Sequence, residues 1–331
     1  MKIMAKKILV IGSGAWGTAL ANHLANNNNQ VFLYTRQSDY VKQINETHRN
    51  PKIFSQHILS KNIIAVNQYL NDVDFIFLAI PSDSMLNVLN QLKKINFNAK
   101  TIFVNCTKGV YKIDQTKTQN SNNLCFFSDY FIEHFGNFQF ALLCGPNFAV
   151  EVIEKNPTVT TIGCINFQTY LAIKDIIENN FFKTYYSSAI KCIELSGSIK
   201  NILAIGCGLI HGLGLGINAK SALLIKGIEE IKSLCKALQI QEDLTTPAGF
   251  GDIFLTCSSE KSRNYSLGIS LSKAQEIPSN VNFEGQKAVL LINDFAKKLN
   301  LKLDLCELIA KIINKQISID NYQQEITKVI V

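Results

Sequence analysis

At 331 residues, 47% of them hydrophobic, the chain is long enough for two domains with a core each and too apolar to be disordered. Its formal charge of +7 comes from scattered lysines and arginines, with no block of five or more, which argues against a nucleic-acid stripe. What remains is either ordinary solvated surface or a mild bias toward anionic ligands.

Nine cysteines occur without a CxxC pair and mostly within apolar runs such as Ala141–Cys144. They read as small buried residues of a reducing, cytoplasmic setting rather than as disulfides or zinc ligands. The five histidines show no ligand spacing, so no metal is expected.

In chain order, Met1–Lys7 sets three lysines ahead of apolar residues, a superficial likeness to a secretory leader. The glycine fingerprint in the same segment explains the pattern better. Ile8–Ile11 reads as a strand, Gly12-Ser-Gly-Ala-Trp-Gly17 as a turn, and Ala19–Leu24 as helix, ended by the asparagine run 26–29. Gln30–Tyr34 is then a second strand. Gly12 allows the tight turn, Gly14 lets backbone approach a pyrophosphate, and Gly17 lets the helix pack close to the strand. The helix N-terminus offers N–H groups and a positive dipole end to the phosphates. The stretch reads as a dinucleotide site.

Thr35-Arg36-Gln37-Ser38 follows, where an NAD site carries Asp or Glu. A guanidinium there suits a 2′-phosphate, so NADP(H) is expected over NAD(H), with NAD(H) still accepted. The alternative is that Arg36 is solvated and Asp39 reaches the ribose.

Short apolar runs continue: Ile63–Val66, Asp74–Ile80 stopped by Pro81, Thr101–Cys106 and Phe140–Cys144 as strands, with Thr158–Cys164 and Lys183–Ser187 as further candidates. Ser82–Leu92 reads as a helix with Ser82 a candidate N-cap. Residues 112–124 are polar and read as a surface loop. The expected fold is α/β: a Rossmann-type doubly wound parallel sheet over 1–189, binding the dinucleotide, followed by a mostly helical substrate and catalytic domain over 190–331. Residues 201–219 lack Asp, Glu, Lys and Arg but hold five glycines, and fit a buried helix better than a membrane span. Ala219–Leu238, Glu307–Lys315 and Asn321–Val331 suggest further helices.

Three loops follow strand ends: Pro81-Ser82, Thr107-Lys108-Gly109 and Gly145-Pro-Asn-Phe-Ala149. Lys108 could meet an anion or a carbonyl, or simply lie on the surface. Lys200 sits among Ile199, Ile202, Leu203 and Ile205. Burial there would make it a proton donor and acceptor near neutral pH; the rival reading is a snorkelling surface lysine. Asp252 and Thr256, four apart, share one helix face. Ser262-Arg263-Asn264 offers hydroxyl, guanidinium and amide groups suited to a phosphate monoester, or caps a helix.

These residues together carry a resemblance. The chain resembles the soluble, bacterial NAD(P)-dependent glycerol-3-phosphate dehydrogenases in Gly12–Gly17, Asn105-Cys-Thr-Lys-Gly109, Gly145-Pro-Asn-Phe-Ala-Val-Glu151, Pro157-Thr158, Glu194-Leu-Ser-Gly-Ser-Ile-Lys-Asn201, Gly249-Phe-Gly-Asp252, and Ser262-Arg-Asn264 with Glu284-Gly285. The motifs keep the family's order and spacing across nearly the whole chain. The resemblance implies that Lys200 transfers the proton and Lys108 contacts both substrate and cofactor, with Asp252 and Thr256 beside the substrate. It implies that Gly145, Asn147, Asn201, Ser262, Arg263 and Asn264 complete the substrate site, Arg263 and Asn264 holding the phosphate. Gly12, Gly14, Ala15, Trp16, Gly17, Arg36, Lys108, Ala149, Arg263, Asn282 and Glu284 are the implied cofactor contacts. The implied reaction is reduction of dihydroxyacetone phosphate to sn-glycerol 3-phosphate for glycerophospholipid synthesis, by a cytoplasmic homodimer.

Five positions depart from the family pattern: Asn147 for Ser, Ile217 for Asp, Thr246-Pro247 for a more apolar pair, and Lys226 for Arg. Two rival readings are a related two-domain hydroxy-acid reductase, and a non-catalytic NADPH sensor that would need no proton donor.

Overall fold

A computed structural model describes residues 5–112, 124–275 and 283–331. In chain order the elements are β1 (Lys7–Ile11), α1 (Ala15–Asn26), β2 (Gln30–Tyr34), α2 (Ser38–Thr47), β3 (Ile63–Val66), β4 (Phe75–Leu78), α3 (Ser82–Leu92), β5 (Ile102–Asn105), β6 (Tyr111–Lys112) and β7 (Leu124–Cys125). Then come α4 (Phe127–Phe135), β8 (Gln139–Cys144), α5 (Ala149–Ile153), β9 (Thr158–Gly163), α6 (Phe167–Ile177), β10 (Phe182–Ser187), α7 (Ile190–Gly212) and α8 (Gly216–Ala237). A π-turn (Pro247–Gly251) leads into α9 (Asp252–Ser258), followed by α10 (Arg263–Ser272), α11 (Glu284–Lys298), α12 (Asp304–Ile313) and α13 (Tyr322–Ile330).

The chain forms two compact units: Met1–Thr107 with Ser128–Ile190, and Lys108–Phe127 with Lys191–Val331. The sequence reading assigned 108–127 to the first domain; the described residues 108–112 and 124–127 group with the second unit. Of the polar stretch 112–124, only Lys112 and Leu124 are described, as ends of the antiparallel ribbon β6–β7; the loop expected over 113–123 lies outside the described residues.

The first unit is built on an eight-stranded sheet of order β10-β9-β8-β5-β4-β1-β2-β3. The run from β8 to β3 is parallel throughout. β4 is buried along its whole length, which is why its sequence shows no alternation. The expectation of a wholly parallel sheet needs one correction: β9 runs antiparallel to β8, and β10 follows β9 in parallel. The link from β8 to β9 contains only the five-residue α5, too short a helix to carry the chain back along the sheet. The full-length α6 does make that return for β10.

Two local readings gain a physical account. Ser82 is the first helical residue of α3 and not its cap; Pro81 takes the cap position, with no side-chain bond there. The asparagine run ends α1 as expected, and its side chains also bind. Asn27 Nδ2 donates to the carbonyls of Ile176 and Ile177 at 3.0 and 2.8 Å, and His23 Nε2 contacts the Ile177 carbonyl at 2.7 Å. Together they cap the end of α6.

In the second unit α7 is buried along almost its entire length. It is long and apolar enough to cross a membrane, yet the qualifying window is wholly buried within the chain. Its glycines explain the packing: a Cβ on Gly208 would collide with the Tyr265 carbonyl of α10. Close helix approach therefore demands glycine there.

Candidate functional site

In the first unit the glycine turn follows β1, which sits between β2 and β4 in the sheet. Gly12 has φ +117°, a left-handed conformation that side chains rarely adopt, and its N–H donates to the Tyr34 carbonyl at 3.3 Å. A Cβ on Gly17 would strike the Gly12 carbonyl, so helix and turn can close only with glycine. Gly14 differs. Its φ of −73° and ψ of −174° are ordinary extended values, and a Cβ built there meets nothing within 4 Å. The fold itself does not require glycine at this position, and the space beside the backbone is open.

α1 begins here without a side-chain cap and without an acidic residue in its first turn, as an anion-binding helix start requires. Gly14 and Ala15 are exposed, and Trp16 is half-buried against the sheet core. The cradle fits the pyrophosphate of a dinucleotide. Arg36 and Asp39 are both exposed beyond the end of β2, while Thr35 is buried.

The strands β4, β5 and β8 are parallel neighbours, so the chain leaves all three at the same sheet edge. Thr107 Oγ donates to the Ile80 carbonyl at 2.7 Å and joins two of these exits. Gly145 is buried beside Thr160. Asn147 turns its amide toward β9, donating to the Val159 carbonyl at 2.8 Å, and Ala149 opens α5.

The second unit brings together four of the expected catalytic side chains. Asp252, 1% exposed, opens α9. Its Oδ1 accepts from Lys200 Nζ at 2.9 Å and its Oδ2 from Lys108 Nζ at 2.7 Å. Lys200 also donates to Thr256 Oγ at 3.0 Å, and Thr256 Oγ donates to the Asp252 carbonyl at 2.7 Å. The four-residue spacing of Asp252 and Thr256 thus places both on the buried face that receives Lys200. Lys200 does not snorkel; it is 5% exposed on α7.

Burial pushes the Asp252 carboxyl up, but the ammonium groups, Lys108 first and then Lys200, outweigh it and hold it below the usual carboxylate range. The carboxylate is therefore held in its ionised form and accepts from both lysine side chains. Two lysine side chains therefore converge on one buried carboxylate, in a setting where charges are weakly screened. Such a cluster can stabilise negative charge developing on a carbonyl oxygen and supply a proton to it.

The expected phosphate-binding triplet is divided. Ser262 caps α10, accepting from Tyr265 N at 3.4 Å. Asn264 is buried and accepts from Gly285 N at 3.1 Å. Arg263 is exposed and lines a cavity of about 260 Å³ with Lys261, Ser266 and Phe283. Asn201 donates to Glu284 Oε2 at 3.3 Å, tying α7 to the start of α11. Asn282, expected at the cofactor, lies outside the described residues.

Two contributors were missed in the sequence. Ser198 Oγ accepts from Val110 N at 2.9 Å and pins the Lys108 segment to α7. Thr246 Oγ accepts from Gly249 N at 3.2 Å and caps the π-turn that presents Asp252. The Thr246-Pro247 departure was the available signal, since that pair is a helix-start signature. Among the described residues no group of three or more His, Cys, Asp and Glu could hold a metal ion. All nine cysteines are free thiols, eight of them buried.

Comparison with known proteins adds independent findings. Residues 7–170 match the model for the NAD-dependent glycerol-3-phosphate dehydrogenase N-terminus, and residues 190–324 match that for its C-terminus. A glycerol-3-phosphate dehydrogenase [NAD(P)+] of Brucella canis is 31% identical over 321 residues, covering 96% of this chain and 95% of the relative. One from Erythrobacter litoralis is 36% identical over 275 residues, covering 82% and 79%. The crystal structure of glycerol-3-phosphate dehydrogenase from Coxiella burnetii superposes with a TM-score of 0.85 at 26% identity, covering 98% of each chain.

Proposed function

The chain belongs to the NAD-dependent glycerol-3-phosphate dehydrogenase family and is an NAD(P)-dependent oxidoreductase, and on that premise we propose how its residues divide the work. It reduces dihydroxyacetone phosphate to sn-glycerol 3-phosphate, the precursor of glycerophospholipids. A bound NAD(P)H supplies the hydride that reaches the C2 carbonyl carbon. Every other requirement falls to side chains.

The Gly12–Gly17 turn and the start of α1 hold the pyrophosphate, with Ala15, Trp16, Ala149 and Glu284 as further cofactor contacts. Arg36 meets a 2′-phosphate, giving NADP(H) preference over NAD(H). This reading is supported by an exposed guanidinium immediately past β2. The family name alone covers both cofactors.

Lys200 is the proton donor. As the C2 oxygen gains negative charge, the Lys200 ammonium stabilises it and transfers a proton; the neutral amine left behind is reprotonated from solvent. Asp252 and Thr256 orient Lys200, and Lys108 adds a second positive charge. The observation that carries this reading is the single buried carboxylate of Asp252 bonded to both lysines. Arg263 and Asn264 bind the substrate phosphate, and Gly145, Asn147, Asn201 and Ser262 are further substrate-binding residues. Phosphate binding energy remote from C2 positions the carbonyl.

The first unit acts as the dinucleotide domain and the second unit, which includes Lys108, as the substrate domain. The protein works in the cytoplasm as a homodimer. The test is NADPH oxidation by the purified chain with dihydroxyacetone phosphate against unphosphorylated dihydroxyacetone. Oxidation that depends on the phosphate, with Arg263→Ala raising KM, supports the reading. Equal rates with both ketones, or an unchanged KM in the variant, contradict it.

A further inference from the structure

The cofactor reading puts Arg36 at a 2′-phosphate; how Arg36 is held there is a separate matter, and the segment leaving β3 bears on it. Arg36 lies in the Thr35–Ser38 turn between β2 and α2. Both ends of that turn are tied to the stretch Val66–Tyr69. At one end, Thr35 N donates to the Val66 carbonyl at 2.9 Å. Beside it, the Tyr34 ring stacks on Tyr69, with centroids 4.5 Å apart and planes 25° from parallel. At the other end, Asn67 Nδ2 donates to Ser38 Oγ at 3.4 Å. Tyr69 is itself braced from α3, where its hydroxyl donates to Gln91 Oε1 at 3.0 Å.

The turn is therefore clamped while the Arg36 guanidinium it carries is exposed, and among the described residues Arg36 makes no hydrogen bond or ion pair. Its charge is felt at Tyr69: burial raises the Tyr69 phenol well above its ordinary range, and Arg36 acts against that rise. A fixed turn bearing an uncommitted guanidinium is preorganised for an anion, because the ordering cost is met before binding. An arginine on a loose turn would give up part of its binding energy to ordering.

We propose that Asn67 and Tyr69 preset the Thr35–Ser38 turn so that Arg36 meets the 2′-phosphate of the adenosine ribose, and that Tyr69 is the positioning residue for this cofactor preference. The inference rests on the NADP(H) reading, and the experiment separates the two. Dissociation constants for NADPH and NADH, followed by nucleotide fluorescence without substrate, and steady-state kcat/KM for each, at saturating dihydroxyacetone phosphate, are measured in wild type, Arg36→Ala, Tyr69→Ala, Tyr69→Phe and Asn67→Ala.

In wild type the NADPH/NADH ratio exceeds one, and Arg36→Ala abolishes the preference. Tyr69→Ala lowers the ratio by about fivefold or more, acting through KM for NADPH, as loss of preorganisation does. Tyr69→Phe, which keeps the stacked ring, restores most of it, and Asn67→Ala gives a smaller drop of the same sign. A variant that merely loosens the fold lowers both kcat/KM values together and leaves the ratio in place. An unchanged ratio in Tyr69→Ala, with Arg36→Ala still abolishing preference, overturns the role of Tyr69 and spares the cofactor reading. A wild type without NADPH preference overturns both.

Discussion

Asp252 Oδ1 and Lys200 Nζ face each other across 2.9 Å, both side chains almost wholly buried. A carboxylate in such a place is costly unless it is paired and hydrogen-bonded. Lys108 on the second oxygen, at 2.7 Å, completes the compensation. The same pairing that makes the buried charge tolerable also fixes the Lys200 side chain that the proposed mechanism uses as proton donor.

Asp252→Asn should therefore harm both fold and turnover. Removing the anion takes away the carboxylate that Lys200 and Lys108 share, and breaking a buried pair costs about 3–5 kcal/mol. Loss of Lys200 orientation should lower kcat on the order of 10²-fold. The sign with pH follows from the lowered Asp252 value: the stabilisation is present above its ordinary 3.8 and is lost as pH falls through the lower folded-state value. Thermal melts of wild type and variant should differ fully above pH 3.8 and converge below it. A gap that persists undiminished into stronger acid would show that the carboxylate's charge is not its source.

Gly14→Ala separates folding from cofactor binding. The chain has room for the methyl group and the backbone angles suit any residue, so the melting temperature should stay within about 3 °C of wild type, corresponding to less than about 1 kcal/mol. Dinucleotide binding, followed by nucleotide fluorescence, should weaken by tenfold or more, about 1.4 kcal/mol. Unweakened binding would remove the pyrophosphate from this turn.

His23 predicts an acid-sensitive step in the first unit. Burial, opposed by the bond to the Ile177 carbonyl, pulls its value from 6.5 down to about 4. The folded state holds the neutral ring, so its contribution is whole above pH 6.5 and is lost as pH falls toward about 4. The swing is worth about 3 kcal/mol. His23→Gln can retain a donor to Ile177 and cannot titrate. Its melting temperature should fall less than that of wild type between pH 7 and pH 4.5. Parallel declines would place the acid sensitivity elsewhere.

Much of this was legible in the chain, for identifiable reasons. Strands such as Phe75–Leu78 announce themselves because burial on both faces leaves a continuous apolar run. The helical reading of the Lys200 region and the spacing of Asp252 and Thr256 both placed these side chains on the faces now seen. The reversal at β9 was not legible, since an apolar run carries no strand direction. The bond from Ser198 to Val110 joins residues 88 apart, a separation no local pattern reports. Ser262-Arg263-Asn264 read as one polar group, whereas helix geometry splits it: a cap at Ser262, a buried acceptor at Asn264 and an exposed cation between them.

The most direct test is Lys200→Ala, assayed for NADPH oxidation with dihydroxyacetone phosphate and, in parallel, for NADPH binding by fluorescence. The account predicts a kcat lowered by roughly 10²–10⁴-fold, the usual worth of a positioned general acid, with NADPH still bound. Near-normal turnover would show that Lys200 is not the proton donor and would contradict the account at its centre.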